Sequence, residues 1–505
     1  MKKISADLSR ITGKLDRYFS RCVSASRAYL LLRADHREHL KMVRDTCGFE
    51  YVRFHGLLQD DMGIYRLAKN GEPIYSFQYC DEVYDYLLEI GMKPFVVFDF
   101  MPEALASGDK TIYWERSNIT PPADYDAWQE LIYRITRHFT LRYGEEEVKT
   151  WFFEVWNEPD GWFFTGDRDE YFKLYEVTAR AVKAVCPDYK IGGPSVAGAH
   201  DWLPALRDHC RAHNIPLDFL TAHSYCLTDH TPGAKSDADC HIPTWSPGTP
   251  WPLSNLKLVP GSVTQSVDHV LEVMKDDPME IHYTEWGLTF CYWDPLHDSY
   301  RAPSHMLRVL KDCMHKISSL SFCEVSDVFE EDGPPTTNFH GGFGLLNLQG
   351  IPKPSYFAYR FLAMLGDTQL FCPDENTLVA QSHSGYQILT WNCDHFQKEE
   401  NIFYFGLDIP PESQEDLLLT LENPIPGRYT ARLYAVGYGI NDPYTAFLHT
   451  EYEDSLSREQ VQTLREQTDG RPLWETTLEL DGSPFSQTLP LRTNDVYLLT
   501  LERLS

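Results

Sequence analysis

The chain has 505 residues, with 45 Lys and Arg against 74 Asp and Glu, a formal net charge of −29. Repulsion at that charge weighs against a nucleic-acid or anionic-membrane partner, whereas an uncharged substrate meets no such penalty. Hydrophobic residues at 43% and aromatics at 13% supply a large core, and the length suits an α/β barrel of roughly 250 residues or more with an appended module. The opening stretch MKKISADLSRITGKLDRYF lacks the apolar run of an export signal, and no segment reaches the ~20 apolar residues of a membrane span. Twelve cysteines lie scattered without a Cys-x-x-Cys pair or zinc-ligand spacing. Together these features predict a cytoplasmic protein with free thiols, no metal and no cofactor; a homo-oligomer is compatible with them.

In chain order, a weak strand at Arg21 to Ser24 precedes a helical pattern at Arg37 to Thr46 and a strand at Phe49 to His55. The alternation continues through helix Cys80 to Ile90, strand Lys93 to Phe100, helix Asp124 to Arg142, strand Thr150 to Asn157, helix Glu170 to Val185 and strand Tyr189 to Gly193. Strand Leu217 to Ser224, helix Gln265 to Lys275, strand Met279 to Trp286, helix Ser304 to Lys316 and strand Leu320 to Asp327 complete it. Such alternation implies a parallel sheet, and about eight units imply a (β/α)8 TIM barrel, here over residues 1–365. The unbroken apolar run Pro94-Phe95-Val96-Val97-Phe98 fits a strand covered on both faces.

From 366 to 505 the texture becomes that of a C-terminal antiparallel β-sandwich, which N-terminal residues are free to join. Strands are expected at Thr377 to Gln381, Tyr386 to Trp391, Leu417 to Leu421, Tyr429 to Tyr434 and Val496 to Leu501. Only Leu456 to Gln467 reads as helix there. The Pro-, Asp-, His- and Trp-rich segment between Thr228 and Ser262 reads as a long loop overhanging the pocket.

A TIM barrel places its active site at the C-terminal strand ends. Polar residues recur at that edge of five strands: His55; Asn157 and Glu158; His223 to Tyr225; Glu285; and Asp327 to Glu331. Two carboxylates facing each other across a pocket are the minimal equipment for cleaving a glycosidic bond. Glu158 is the candidate acid/base: Pro159 removes a backbone donor and ends the strand, leaving the carboxylate at the rim. Asn157 can donate to a sugar 2-hydroxyl. Glu285 is the candidate nucleophile and must stay ionised, for which Tyr225 and Arg53 are the expected donors. His55 and His223 can bind sugar hydroxyls or orient the acids. Taken singly, each of these residues has an ordinary structural explanation; their recurrence at one edge does not. His340-Gly341-Gly342-Phe343-Gly344 lacks the lysine of a phosphate loop and reads as a tight loop near the pocket.

The motifs resemble the retaining glycosidases of glycoside hydrolase family 39, whose best-known bacterial members are β-xylosidases. The likeness runs through Tyr51-Val52-Arg53-Phe54-His55-Gly56-Leu57-Leu58, Phe153-Glu154-Val155-Trp156-Asn157-Glu158-Pro159, Gly192-Gly193-Pro194 and His282-Tyr283-Thr284-Glu285. It continues through Ser326-Asp327-Val328-Phe329-Glu330-Glu331, Phe339-His340-Gly341-Gly342-Phe343-Gly344-Leu345 and Ile351-Pro352-Lys353-Pro354. The resemblance implies Glu158 as acid/base and Glu285 as nucleophile. It also implies that Asn157, His55, His223 and one or both of Glu330 and Glu331 contact the sugar at the cleavage point. Where the family carries a Tyr-Trp-Thr-Phe-like run, this chain has Phe322-Cys323-Glu324-Val325, and after the nucleophile it has Gly287-Leu288-Thr289. These departures leave the reaction type alone and open the identity of the sugar. The expectation is an exo-acting retaining β-glycosidase, with β-xylosides or xylooligosaccharides leading. The alternatives are β-glucosides, α-L-arabinopyranosides, or a barrel that only binds carbohydrate.

Overall fold

The strands form where short β-branched and aromatic runs are covered on both faces; Lys93–Phe98 is buried at every position after the first. The helices form where apolar residues recur at helical spacing behind a cap. In Tyr125–Tyr143, Trp128, Leu131, Ile132, Ile135 and Phe139 face inward, while the Asp124 side chain accepts from the N–H groups of Asp126 and Ala127. The computed structural model describes residues 1–229, 256–259, 261–393, 406–411, 414–450 and 455–504.

An N-terminal strand, β1 (Lys2–Lys14), is followed by β2 (Cys22–Arg27), β3 (Tyr51–His55), β4 (Lys93–Phe98), β5 (Phe152–Val155), β6 (Lys190–Val196), β7 (Phe219–Tyr225), β8 (Glu280–Gly287) and β9 (Ser319–Phe322). Strands β2 to β9 pair parallel in sequence order and close on themselves as a (β/α)8 barrel. Helices Trp202–Ala212 and Pro354–Ala363 join the six expected from pattern. The first contains Pro204, which reads as a breaker; the second is buried almost all round and has no polar face to mark a period. The last barrel strand ends at Phe322 rather than Asp327, because regular pairing gives way there: Val325 N–H still donates to Ser24 O of β2, but Glu324 N–H turns to Phe343 O, outside the barrel strands. Most of the loop expected between Thr228 and Ser262 lies outside the described residues; its flanks, Leu227–Asp229 and Leu256–Leu258, pair antiparallel.

Side chains stack inside the barrel in layers. Phe95, Phe152, Phe219 and Cys22 form a floor, with the His282 ring edge-on to the three phenylalanines. One strand period above, Arg53 and Glu154 form a buried ion pair at 2.7 Å. The candidate site is the layer above that.

Among the described residues, eight strands follow the barrel: β10 (Thr368–Phe371), β11 (Thr377–Ser382), β12 (Gly385–Trp391), β13 (Gln414–Glu422), β14 (Gly427–Val436), β15 (Trp474–Leu480), β16 (Phe485–Arg492) and β17 (Val496–Arg503). With β1 they pair in the order β15-β14-β17-β12-β11-β10-β1-β13-β16, a C-terminal β-sandwich module that is antiparallel except where β1 runs parallel to β13. A second helix, Pro443–Leu448, accompanies Arg458–Gln467, correcting the expectation of one; at six residues it is too short to show a period. No helix among the described residues is long and apolar enough to cross a membrane.

Candidate active site

Glu285 reaches the barrel interior through an irregularity. Along β8, His282 and Thr284 already face inward, so strict alternation would turn Glu285 outward. The register between β7 and β8 slips between Ala222 and His223, where Tyr283 pairs with Ala222 and Glu285 with His223. This bulge aims two consecutive side chains at the interior. Thr284 Oγ1 donates to Glu154 Oε1 at 2.9 Å, while Glu285 Oε1 accepts from Arg53 Nη1 at 2.5 Å and Oε2 from the Tyr225 hydroxyl at 2.8 Å. Arg53 is thereby used on three sides: Nε to Glu154, Nη1 to Glu285 and Nη2 to Asn157 Oδ1 at 2.7 Å.

Glu158 stands on a turn held in an uncommon conformation. Trp156 and Glu158 both have positive φ, 69° and 46°, a state costing about 1–3 kcal/mol per non-glycine residue unless its surroundings enforce it. The Ser195 hydroxyl donates to Trp156 O at 3.0 Å and accepts from Glu158 N–H at 3.4 Å; Trp156 Nε1 donates to Phe163 O at 2.7 Å. The Glu158 carboxylate meets His223 Nδ1 at 2.7 Å, and His223 Nε2 lies 3.1 Å from Thr284 Oγ1. One carboxylate oxygen of Glu158, one of Glu285 and a His223 ring nitrogen all lie within 4.8 Å of one another.

The two acids titrate in opposite directions. Burial raises the Glu158 carboxyl against the hydrogen bond and charge of His223, which lower it, and nearby Glu285 adds to the rise. Burial would also raise Glu285, but the charges of His223 and Arg53, with His55 and the Tyr225 hydroxyl, hold it down at about 2. Burial disfavours the charged form of His223, yet Glu285 and Glu158 together raise its proton affinity.

The remaining sequence candidates separate here. The His55 Nε2 atom lies 3.4 Å from Glu331 Oε1, and the His55 ring stacks on Tyr113 at 6.0 Å. Burial, then Glu285, pushes the Glu331 carboxyl well above the usual range, against a hydrogen bond from Tyr113. Glu330 instead accepts from Arg33 Nη1 at 2.7 Å, on a half-exposed side chain, so Glu331 is the member of the pair that faces the other acids. Arg53, His55, Asn157, Glu158, His223, Tyr225, Glu285 and Glu331 therefore converge, and Glu330 does not. Glu154, Thr284 and Tyr113 were not singled out from sequence. The available signal was Glu154 itself, a carboxylate in the otherwise apolar strand Phe152–Val155.

Beyond β9, Cys323 packs with Phe329, Phe343, Tyr225 and Tyr292. Glu324 is fully buried with no ion pair among the described residues, and burial, with Glu331 nearby, raises its carboxyl far above the usual range against a backbone hydrogen bond from Ser26. The glycine-rich run packs on Asp327, where a Cβ on Gly344 would fall 2.3 Å from the Asp327 nitrogen. Asp327 in turn shares buried Lys353 with Asp298, at 3.0 and 2.7 Å.

Residues 2–482 match the model of the glycosyl hydrolases family 39. The chain is 39% identical over 371 residues to a β-xylosidase of Caldicellulosiruptor saccharolyticus, covering 73% of this chain and 72% of that protein. It is 38% identical over 381 residues to a β-xylosidase of Geobacillus stearothermophilus, covering 74% and 73%. The crystal structure of a monomeric β-xylosidase from Caulobacter crescentus CB15 superposes over 100% of both chains with a TM-score of 0.91 at 34% identity. With the family model spanning nearly the whole chain and these relatives covering most of it, the protein belongs to the family 39 glycosyl hydrolases.

Proposed function

We propose that this enzyme is an exo-acting β-xylosidase that works with retention of configuration, cleaving β-xylosides and short xylooligosaccharides. The observation that carries the reading is the pair Glu158 and Glu285, with carboxylate oxygens no more than 4.8 Å apart and opposite proton affinities. Retaining glycosidases hold their carboxyl groups about 5–5.5 Å apart, and inverting ones about 6.5–9.5 Å, to admit a water. Similarity to two β-xylosidases supports the sugar.

Glu285, ionised through Arg53, His223 and Tyr225, attacks the anomeric carbon while Glu158 protonates the departing oxygen. The covalent ester discharges the Glu285 carboxylate, which removes one of the influences raising Glu158. Glu158 then takes a proton from the water that releases the sugar. Asn157, oriented by Arg53, holds the 2-hydroxyl, and His55 and Glu331 take hydroxyls farther round the ring.

Proton NMR of the first product from an aryl β-xyloside should show β-xylose before mutarotation. Glu158→Gln should lower turnover about 10²–10⁴-fold on a substrate with a poor leaving group, less where the leaving group needs no proton. α-Xylose as the first product, or undiminished turnover by Glu285→Gln, removes the mechanism.

A further inference from the structure

The Glu285 carboxylate has two flanks. Its Oε1 side is bound by Arg53, which also holds Asn157; its Oε2 side is bound by Tyr225. Under the function proposed above, the anomeric carbon stands over this carboxylate with C2 to one side and the ring oxygen to the other. The amide of Asn157 fixes O2 on the Arg53 flank, so the ring oxygen and C5 fall on the Tyr225 flank.

That flank is an aromatic cup. Cys323, Phe329 and Phe343 are buried together, with Tyr225 and Tyr292 packed against them. The Phe343 ring lies 6.4 Å from Tyr225 and 5.2 Å from Phe329, and Tyr292 lies 5.6 Å from Phe329. The Tyr225 ring lies against Gly287, where a Cβ would come within 3.1 Å of it, so only glycine there leaves the ring its place. Cys323 is the smallest side chain in the cup. Its thiol is kept neutral by burial and by the nearby Glu285 carboxylate. Basic side chains around this end of the barrel already engage carboxylates: Arg27 with Asp61, Arg33 with Glu330, Arg53 with Glu154 and Glu285, and Lys353 with Asp298 and Asp327.

We infer that the cup around Cys323 receives the C5 substituent of the bound sugar, so that the enzyme also hydrolyses 6-deoxy-β-D-glucopyranosides and refuses β-D-glucuronides. A 6-deoxyglucoside is a xyloside in which a methyl replaces one C5 hydrogen, and a methyl gains by entering an apolar cup. A hydroxymethyl brings a hydroxyl to be desolvated against these rings, where the Tyr225 hydroxyl is already committed to Glu285, and a carboxylate brings a charge with acids around it and no uncommitted cation among those named.

The inference rests on the glycosidase reading, and a substrate panel separates the two. Specificity constants are measured for four aryl glycosides: β-D-xyloside, 6-deoxy-β-D-glucoside, β-D-glucoside and β-D-glucuronide. The 6-deoxyglucoside should fall within about 10-fold of the xyloside, and the glucoside about 10–200-fold below the 6-deoxyglucoside. The glucuronide should not turn over. Cys323→Trp fills the cup and should lower the ratio of 6-deoxyglucoside to xyloside at least about 10-fold, whereas Cys323→Ala should hold or raise it. A ratio of specificity constants does not depend on the folded fraction, so partial misfolding of a variant does not blur the result. Xyloside turnover with a 6-deoxyglucoside no better than the glucuronide overturns the inference, as does a ratio indifferent to Cys323→Trp. Failure of the folded wild type on the xyloside itself sinks the underlying reading instead.

Discussion

The proton that Glu158 must deliver is held at the expense of folding. Its folded-state pKa is raised above the ordinary 4.5, so the native state binds the proton more tightly than the unfolded chain. Stability from this residue is therefore fully present below that value and is lost as pH rises through the folded pKa. Glu285 has the opposite sign: depressed to about 2, it contributes stability above 4.5 that is lost as pH falls toward 2. Glu158→Gln keeps the shape and can still meet His223 but carries no charge. At pH 7 it should stabilise the fold by about 0.5–2 kcal/mol while activity falls, the usual trade at a catalytic group. Urea unfolding at pH 7 and pH 4 checks this, because the gain should shrink at the lower pH; an equal gain at both would assign it to packing. The same environments explain what could be read from single residues. Glu158, Asn157, His223, Tyr225 and Glu285 sit at strand ends, and it is their recurrence along one edge of the barrel that sets them apart. Glu154 and Thr284 lie deeper in the barrel and read as ordinary strand positions, though they orient Arg53 and His223. The choice between Glu330 and Glu331 depended on a turn whose direction alternation does not give, since β9 has already ended at Phe322.

At the scale of the element, the segment after β9 matters most. It carries Cys323, Glu324 and Glu331 on irregular backbone, held by Asp327, to which Gly344 N–H donates at 2.8 Å, and by the buried ammonium of Lys353. Lys353 also donates to Gly342 O at 2.7 Å, so one side chain joins this segment to the glycine-rich loop. Lys353→Met should leave Asp298 and Asp327 uncompensated and cost about 3–5 kcal/mol. Adding Asp327→Asn to Lys353→Met should recover part of that loss, and the protein still folded should show a raised KM, because Glu331 rides on the same segment. Thermal unfolding of the single and double variants checks the energetic part; a double variant no more stable than the single would remove Lys353 from this role. Elements with a clean period were legible, such as Tyr125–Tyr143 with its buried stripe and Asp124 cap. Those buried all round, such as Pro354–Ala363, or polar on most of their surface, such as Trp474–Leu480, were not.

On the scale of the whole molecule, the first and last parts of the chain share one sheet. Strand β1 lies between β10 and β13, and without it β13 and β16 have no partner linking them to the other six strands of the module. Its Ile4, Ala6 and Leu8 are buried in the same core as Leu370, Leu417, Leu419 and Leu499. In sequence this strand escaped notice because only its first half alternates cleanly; from Ser9 to Lys14 every residue is exposed. The physical unit of the C-terminal module is thus discontinuous, and we propose residues 366–505 together with β1 as that unit. Losing β1 exposes the apolar row it covered and two strand edges, that of β13 a long one, a template for aggregation. Residues 366–505 produced alone should therefore aggregate, whereas the same segment with residues 1–14 joined through a flexible linker should be soluble and unfold cooperatively. Deleting residues 1–14 from the full chain should have the same cause and a larger effect, because the lost strand also leads directly into the barrel at β2. Sedimentation and circular dichroism of the three proteins decide it. A soluble, folded 366–505 fragment would mean that the remaining strands close their own core, with β1 a passenger on the sheet.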